Sequence, residues 1–547
     1  MSQCSHLSHA AADRFVDPKF HGACFICAAA EDDAPRTYPT EGPTRRSMLR
    51  TAAVAPAAAF AAADLLRAAP ARAQNAPRPP EGAFVIDAGA ALLEKDGALV
   101  VEHDVNILVR DGVIADISAA PIKGFPIVDA RGHFALPSFI SGHTHACSGT
   151  PTRGIFEAGR SYQRPLELVE QLPDDEQDAL TALNLAELLR GGCTTHIEMS
   201  LTLRQSESYV RLAKQWGVRG FPGFMIPSTM RLFGIWFRKD DKVLFDSEPG
   251  TLKEIAEGLA FGKKHMNANG GLIVPMMNIH ATDTQTEATM KALKAACVDL
   301  GTGLHTHYSQ GGGEPEAVKR LWKMNPTEWF NSFGLLDQIV FGAHMSGIDW
   351  AEEGPLMKAK GVVYSHCPSG GGAGGGSQPY PEALAAGVKA NIGIDTHSND
   401  YVEDLKLAVL YGKNRTRHLR KTSPVPLKSP TIWDALDSAT RVPADALKRP
   451  DLGRIKVGAQ ADITTIDVSG MISGSGAVGP EPVYNLLYCN AMMVRHVMTR
   501  GRIQVYDGRL AVADEANVVA AGGRVVKKIW AELDKEGWFS PPQARGG

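Results

Sequence analysis

The sequence predicts an α/β fold, a (β/α)8 TIM barrel with a small β-sandwich domain built from both chain ends. Apolar strand patterns and helix patterns alternate through the middle of the chain, which favours a parallel sheet. Eight such units over roughly 290 residues match the size of a (β/α)8 barrel. Short β patterns separated by Asp and Gly turns lie on both sides of this region and predict that the two ends build one β-sandwich.

The composition is that of a large globular enzyme. The chain of 547 residues is too long for one ordinary domain. Hydrophobic residues make up 44% and charged residues 21%, which are ordinary values for a globular protein. The formal net charge of −3 gives no electrostatic attraction to nucleic acid or to an anionic membrane. We therefore predict a small-molecule substrate, no nucleic-acid partner and no membrane association of the mature chain.

Residues 1–73 are predicted to form a twin-arginine signal region. Arg45 and Arg46 precede an Ala-rich apolar stretch at residues 51–63, and Ala71-Arg72-Ala73 has the form of an A-x-A cleavage site. A disordered Ala/Pro-rich leader with a chance arginine pair is the alternative. We predict export by the twin-arginine route to the periplasm and exclude this region from the fold.

The eight cysteines do not predict a disulfide framework. Cys24 and Cys27 have zinc-ligand spacing, but no second cysteine pair follows at zinc-finger distance. They lie with Cys4 in the leader, and whether the leader has a role of its own is left open. The five cysteines after the signal region are odd in number and widely scattered, unlike a set of paired cysteines.

The flanking β patterns define the two parts of the predicted sandwich, residues 83–137 and 441–512. The strands are predicted at Ala83–Asp87, Val105–Arg110, Val113–Ile117, Asp462–Asp467, Met493–Met498 and Arg502–Tyr506. A C-terminal helix and tail, residues 513–547, follows, with the helix predicted from Ala513 to Lys535.

The predicted barrel covers residues 138–440. Its strands are expected to end near Ser141, Met199, Met225, His280, His307, His344, His366 and Asp395. Helices between them include Asp174–Arg190 and Thr284–Asp299. A doubly wound open sheet is the alternative, but no G-x-G-x-x-G turn follows the first strand. The polar residues at the strand ends would share the face where such barrels carry their active sites.

His143 and His145 are the first candidate metal ligands. They follow an apolar strand in Leu136-Pro-Ser-Phe-Ile-Ser-Gly-His143-Thr-His145. Residues at i and i+2 of a strand point to one face, so the two imidazoles converge. Neutral imidazoles suit a borderline divalent ion such as Zn²⁺.

Three further polar residues end later strands. His307 ends the fifth strand, His344 the sixth and Asp395 the eighth. The spacing between these residues corresponds to strand–helix units of roughly 40 residues or fewer each. His305 has the same i, i+2 relation to His307 and is the alternative ligand from that strand. We favour His307.

Together these residues resemble the amidohydrolase superfamily. The resemblance rests on the H-x-H after L-P-x-x-I, on the later His, His and Asp, and on Asp451-Leu-Gly-Arg-Ile-Lys-Val-Gly-Ala-Gln-Ala-Asp462, which is similar to a G-x-I-x-x-G-x-x-A-D segment. It covers about residues 83–510. The pattern is most similar to the mononuclear branch with cytosine, guanine and adenosine-type deaminases and triazine hydrolases.

The resemblance implies a metal-dependent hydrolase with one divalent ion. Zinc is the expected metal, and iron, manganese and cobalt are compatible with the same ligands. The implied ligands are His143, His145, His307 and Asp395, with Asp395 also the base that takes a proton from water and His344 the group that polarises the substrate. Binuclear members carry a bridging lysine at the end of the fourth strand, and none is present at residues 273–280. The family also implies a homo-oligomer.

One departure from the pattern affects the predicted substrate. Deaminases of this branch carry Glu three residues after the fifth-strand His, where this chain has Gln310. An amide cannot relay a proton to a ring nitrogen. We therefore predict hydrolysis of a non-peptide C–N bond of amide, urea or carbamate type. The alternatives are a deaminase of a purine, pyrimidine or triazine, in which Glu314 or Glu316 replaces the missing acid, and a binding protein without catalysis.

Two further residues are predicted to contact the substrate together with Gln310. His280 follows the fourth strand, and Trp236 lies beyond the third strand in an aromatic segment. For both, ordinary packing is the alternative.

Overall fold

The computed structural model describes residues 78–158, 160–311, 313–373 and 378–539. The predicted signal region and the leader cysteines lie outside the described residues. Among the described residues, no helix combines the length and apolar character needed to cross a bilayer.

The strands fall into three groups along the chain. The first four are β1 (Phe84–Lys95), β2 (Ala98–Arg110), β3 (Val113–Ser118) and β4 (Ile127–Pro137). The next eight are β5 (Phe139–Thr144), β6 (Cys193–Ser200), β7 (Arg219–Phe224), β8 (Met277–Ile279), β9 (Leu304–Tyr308), β10 (Val340–His344), β11 (Val363–His366) and β12 (Lys389–Ile392). The last four are β13 (Ile463–Asp467), β14 (Val494–Thr499), β15 (Arg502–Tyr506) and β16 (Arg509–Leu510).

Strands β5 to β12 form the barrel. Hydrogen bonds join β5, β6 and β7 in one parallel sheet and β8 to β12 in another. Parallel bridges between Gly220 and Ile273 and between Thr144 and Asp395 connect these sheets at both junctions. Both faces of these strands are buried, as expected for parallel strands covered by helices.

Helices lie between the barrel strands along the chain and follow the last of them. They are α1 (Gln163–Glu170), α2 (Asp174–Arg190), α3 (Leu203–Trp216), α4 (Thr229–Trp236), α5 (Lys242–Asp246), α6 (Glu248–His265), α7 (Ala268–Gly271), α8 (Glu287–Leu300), α9 (Gly313–Trp322), α10 (Pro326–Ser332), α11 (Gly354–Lys360), α12 (Pro368–Ala373), α13 (Tyr380–Ala386), α14 (Tyr401–Leu419), α15 (Ile432–Ala439), α16 (Arg441–Ala446), α17 (Pro482–Asn485) and α18 (Glu515–Lys535). Short 3₁₀ turns lie at Thr150–Thr152, Thr282–Thr284, Leu335–Asp337, Leu486–Tyr488 and Ala491–Met493.

Local chemistry explains where the predicted helices begin. The helix predicted at residues 174–190 has the expected bounds. The helix predicted from Thr284 begins instead at Glu287, because the Thr286 side chain accepts a hydrogen bond from Thr289 N–H and caps the first turn. The C-terminal helix begins at Glu515 for the same reason, with Asp514 as its cap.

The segments on the two sides of the barrel share one eight-stranded sheet, so both contribute to one β structure. Its strand order is β16-β15-β14-β13-β4-β1-β2-β3, and β13 pairs antiparallel with β4. This sheet has a hydrophobic cluster of its own, which includes Phe84, Ile107 and Ile463. The finer prediction, two packed layers of a sandwich with the boundaries given above, stays a prediction.

The barrel topology brings the predicted site residues to one end. The eight expected strand ends agree with the observed ones, and the largest differences are Ser141 against Thr144 and Asp395 against Ile392. Because all eight strands are parallel, their carboxyl ends meet at one mouth.

Candidate metal centre

His143 and His145 lie at the end of β5 and are almost completely buried. The carbonyl oxygen of His143 accepts hydrogen bonds from the backbone N–H groups of Ile394 and Asp395, at 2.9 and 3.0 Å. These bonds attach the segment after β12 to the end of β5, and so they place Asp395 beside the two histidines.

Three histidine side chains converge with the spacing of ligands to one ion, and Asp395 lies beside two of them. Ring nitrogens of His143, His145 and His307 lie within 4.8 Å of one another. Asp395 Oδ1 lies 3.7 Å from His143 Nε2 and 3.6 Å from His145 Nε2. Two ligand atoms at tetrahedral zinc distances are about 3.4 Å apart. His143 Nε2 is buried and has no hydrogen-bond partner among the described residues, so the donor set fits a divalent ion.

Hydrogen bonds at the far ring nitrogens determine how two of these histidines face the centre. His145 Nδ1 lies 2.7 Å from the Met199 carbonyl oxygen, and His307 Nδ1 lies 2.9 Å from the His280 carbonyl oxygen. A carbonyl only accepts, so both Nδ1 atoms carry the proton. Each Nε2 then has its lone pair free, and carbonyl oxygens behind metal-binding histidines orient their rings in this way.

His305 is placed behind the centre. Its Nε2 lies 2.8 Å from His143 Nδ1, and its nitrogens are not part of the group that His143 forms with His145 and His307. The structure therefore brings His307 into the donor group and leaves His305 to orient His143.

Burial keeps the imidazoles neutral. It lowers the pKa of His143 and of His307 well below the usual value, with the neighbouring histidines lowering both further. Burial also lowers the pKa of His145, although Asp395 opposes the shift. Neutral imidazole is the form that binds a metal ion.

His344 presents a proton to the site. The backbone N–H of Cys367 donates to Gln378 Oε1 at 2.9 Å, which fixes the orientation of this side-chain amide. Gln378 Nε2 therefore donates to His344 Nδ1 at 3.0 Å. Because Nδ1 accepts, the proton of the neutral ring sits on Nε2, which faces Asp395 Oδ2 at 3.9 Å. Burial lowers the pKa of His344 to about 4, so the ring is neutral at physiological pH.

A second group of donors overlaps the first. His143, His344, Cys367 and Asp395 also place ligand atoms within 4.8 Å of one another. The proton on His344 Nε2 makes this atom a hydrogen-bond donor rather than a ligand, and burial raises the pKa of the Cys367 thiol well above its usual value. The group with His145 and His307 therefore suits a metal better.

The backbone is strained at two of these positions. His344 has φ of 74° and Asp395 has φ of 64°, a region that non-glycine residues rarely adopt. Such conformations persist where surrounding contacts hold them and are common at functional sites.

The three predicted substrate contacts lie along one wall of the mouth. The His280 ring lies 4.9 Å from that of His307 and 4.5 Å from that of Trp236, measured between centroids. Trp236 and Gln310 line a neighbouring pocket. Burial lowers the pKa of His280 to about 3, so this ring is also neutral.

Three residues at the site have no role in the sequence analysis. Cys367 follows the end of β11 directly, and its neighbour His366 could have drawn attention to it. Asp283 lines the pocket and lies three residues beyond His280, which the same strand-end argument could have reached. Gln378 gives no signal in the sequence, because only the folded chain brings it to His344.

Comparisons with known proteins agree with this geometry. The profile of the amidohydrolase family matches residues 134–504. The chain belongs to the amidohydrolase family. The prediction of a hydrolase that acts on non-peptide carbon–nitrogen bonds is thereby confirmed as a class of enzyme.

Similar proteins include a deaminase and two enzymes of known structure. The 5-methylthioadenosine/S-adenosylhomocysteine deaminase of Moorella thermoacetica is 26% identical over 412 residues, which are 72% of this chain and 87% of that protein. The atrazine chlorohydrolase of Arthrobacter aurescens TC1, solved with zinc, aligns with a TM-score of 0.69 at 20% identity and covers 81% of this chain and 100% of its own. An adenosine deaminase from Xanthomonas campestris with bound zinc aligns with a TM-score of 0.67 at 21% identity, covering 83% and 100%. The structural likeness confirms the barrel fold.

Proposed function

We propose that this amidohydrolase cleaves an amide, urea or carbamate C–N bond of a small organic molecule. The observation that carries the proposal is the side chain of Gln310. It lines the pocket beside the candidate ligands, and it is an amide where a deaminase would need an acid. Glu314 does not replace the missing acid, because its oxygens accept hydrogen bonds from the backbone N–H groups of Thr282 and Gln310, at 3.0 Å each, and from the Thr282 hydroxyl. Cleavage to release an amine needs no proton on a ring nitrogen.

We further propose that His143, His145, His307 and Asp395 hold one divalent ion. Zinc suits three imidazoles and a carboxylate best, and iron, manganese and cobalt are compatible with the same donors. When bound, such an ion supplies a water of lowered pKa for attack on the substrate. The barrel strand β8 carries no lysine that could bridge a second ion.

The chain's own groups then move protons and orient the substrate. Asp395 is 12% exposed at its side chain and lies between His145 and His344, where it can accept a proton from water. The Nε2–H of His344 can donate to the oxygen of the scissile group or to the departing amine. Both groups lie at the ends of rigid barrel strands, so their geometry is set before the substrate binds.

A deaminase of a heterocycle is the second candidate. Its support is the similarity to 5-methylthioadenosine/S-adenosylhomocysteine deaminases, at 26% identity for the Moorella protein. The two candidates differ in the product that is released. Ammonia from adenosine or an aminotriazine would select the deaminase, whereas an organic amine from aryl amides, ureas or carbamates would select the leading proposal.

The test of the proposal combines this substrate panel with one substitution. In Asp395→Asn the acceptor for the water proton is lost while the side-chain shape is kept, so we expect kcat to fall at least about 10³-fold. The exposed Asp175→Asn serves as the matched control and should keep full activity. An unchanged rate in Asp395→Asn would refute the role of this carboxylate. No turnover of any C–N substrate by the metal-loaded protein would refute the function.

We also propose export by the twin-arginine route and assembly as a homo-oligomer. The first is supported by Arg45-Arg46 and the A-x-A site, and the second by membership of the family. Lysine at both arginine positions should keep the protein out of the periplasmic fraction. Light scattering of the purified protein measures the assembly, and a monomer would refute it.

A further inference from the structure

A polar pocket opens beside the metal centre. It has a volume of about 180 Å³ and is lined by residues that include Trp236, Asp283, Gln310 and Glu314. Trp236 lines the pocket, and the His280 ring contacts both Trp236 and the candidate ligand His307, so the pocket lies close to the centre.

The cations of the pocket already have partners. Arg238 donates to Asp241 Oδ1 at 3.2 Å and to the Ile235 carbonyl oxygen at 2.8 Å. Arg320 donates to both oxygens of Asp241, at 2.6 and 2.8 Å. Asp241 thus pairs with both guanidinium groups and offsets part of the positive charge that they bring to the pocket.

Two acceptors of the pocket lack donors. Asp283 Oδ1 and Gln310 Oε1 are buried atoms with no hydrogen-bond partner among the described residues. The Asp283 side chain is 7% exposed, and its other oxygen lies 3.8 Å from Arg238, beyond hydrogen-bond distance. Buried polar atoms without partners are costly, and they mark places where a ligand supplies the missing group.

Two buried acids lie close together in this pocket. Burial, followed by the nearby Glu314, raises the pKa of Asp283 to about 7 although Arg238 and Arg320 oppose the shift, and burial also raises the pKa of Glu314. A cation placed between these two acids would relieve both shifts.

We propose that this pocket binds a cationic group with several N–H donors, an ammonium or amidinium carried by the substrate. The inference rests on the proposed function, because it assigns the part of the substrate that lies beyond the scissile C–N bond. Asp283 would accept one N–H with its free oxygen and Gln310 would accept another. The substrate class is then a small amide, urea or carbamate with a cationic arm.

The test measures binding of two probes of the same shape. Benzamidine is a cation with four N–H bonds, and benzamide is its neutral counterpart. By calorimetry on the zinc-loaded enzyme, we expect benzamidine to bind about tenfold more tightly than benzamide. Asp283→Asn should remove that preference and leave benzamide affinity unchanged. Glu287→Gln, at an exposed acid four residues further along the chain, is the matched control and should preserve it.

A second variant guards against misfolding of the first. Gln310→Met removes the side-chain amide with its unpartnered acceptor and should weaken benzamidine about threefold to fivefold. Equal affinities of the two probes for the unsubstituted enzyme would overturn the proposal, as would benzamidine affinity that is unaltered in both variants. Because binding needs no turnover, a preserved preference without hydrolysis of any C–N substrate would refute the proposed function alone. Hydrolysis without the preference would refute the pocket alone.

Discussion

At the scale of single residues, the roles of the buried histidines follow from their far ring nitrogens. His145 and His307 donate from Nδ1 to backbone carbonyl oxygens, so each turns a lone pair toward the centre. His344 accepts at Nδ1 from Gln378 and turns a proton toward the centre. Three imidazoles of similar burial can therefore take two different chemical roles.

Gln378 should act through His344. In Gln378→Met the donor to Nδ1 is lost, both neutral tautomers become accessible, and the Nε2 proton is no longer fixed. We expect kcat to fall about tenfold with KM unchanged, measured on the best substrate of the C–N panel. In a His344→Ala background the same substitution should have no further effect. An equal fall in kcat in that background would show that Gln378 acts only on the segment after β11, where it bonds Cys367, and not through His344.

Gln310 should limit ring deamination. In Gln310→Glu the side chain gains a carboxyl group that can carry a proton to a ring nitrogen. We expect ammonia release from adenosine or an aminotriazine to rise at least about tenfold, and Gln310→Met should show no such gain. If the Glu variant deaminates no faster than the Met variant, the missing acid is not what limits this reaction.

At the scale of elements, the strands around the centre pack at very close distances. A Cβ on Gly393 would lie 3.0 Å from Cys367 Sγ and from His143 Cβ. A Cβ on Gly142 would lie 2.0 Å from Asn391 Oδ1 and 2.6 Å from Ser365 Oγ. Asn391 also donates to the carbonyl oxygens of Ile140 and Ser438, each at 2.8 Å, which ties β12 to β5 and closes the barrel.

Gly142→Ala should therefore destabilise the barrel. The added methyl group overlaps Asn391, which cannot move without losing buried hydrogen bonds, so we expect a loss of about 1–3 kcal/mol. Denaturant unfolding followed by tryptophan fluorescence measures it. Gly234→Ala is the matched control in α4, since nothing lies within 4 Å of the added atom. The packing argument fails if both variants unfold at the same midpoint.

At the scale of the whole molecule, a buried ion pair connects the barrel to the terminal sheet. Arg219 begins β7 at the end of the barrel opposite the centre and is 2% exposed. It donates to both oxygens of Asp462, which lies just before β13 and also accepts from the Arg500 backbone N–H. Burial lowers the pKa of Arg219, while the charge of Asp462 opposes that shift.

Removing one partner of this pair should be strongly destabilising. Arg219→Met leaves the Asp462 carboxylate buried with one backbone donor, and we expect a loss of about 3–5 kcal/mol in unfolding free energy. Asp462→Asn added to Arg219→Met should recover part of that loss, because no buried charge remains. Arg131→Met, which breaks an exposed pair with Asp129, should cost less than about 1 kcal/mol and serves as the control. A similar cost for the exposed and the buried pair would contradict the argument.

Much of the fold and the donor set could be predicted from the sequence by itself. Apolar strand patterns alternating with helices determine a parallel barrel, because each strand needs helices on the outside and neighbours on both edges. The i, i+2 spacing of His143 and His145 and the polar ends of β9, β10 and the segment after β12 place candidate ligands at one mouth.

Only the tertiary structure decided which of these groups faces the centre and in which chemical form. His305 and His307 are equivalent in the sequence, but His305 lies behind His143 while His307 joins the donor group. The position of the proton on His344 depends on Gln378, which is distant along the chain. The pocket around the unpartnered oxygen of Asp283 is likewise formed by residues from several separate segments. A hydrogen bond is set by the distance and direction between atoms in space, and strand and helix periodicity does not encode either one.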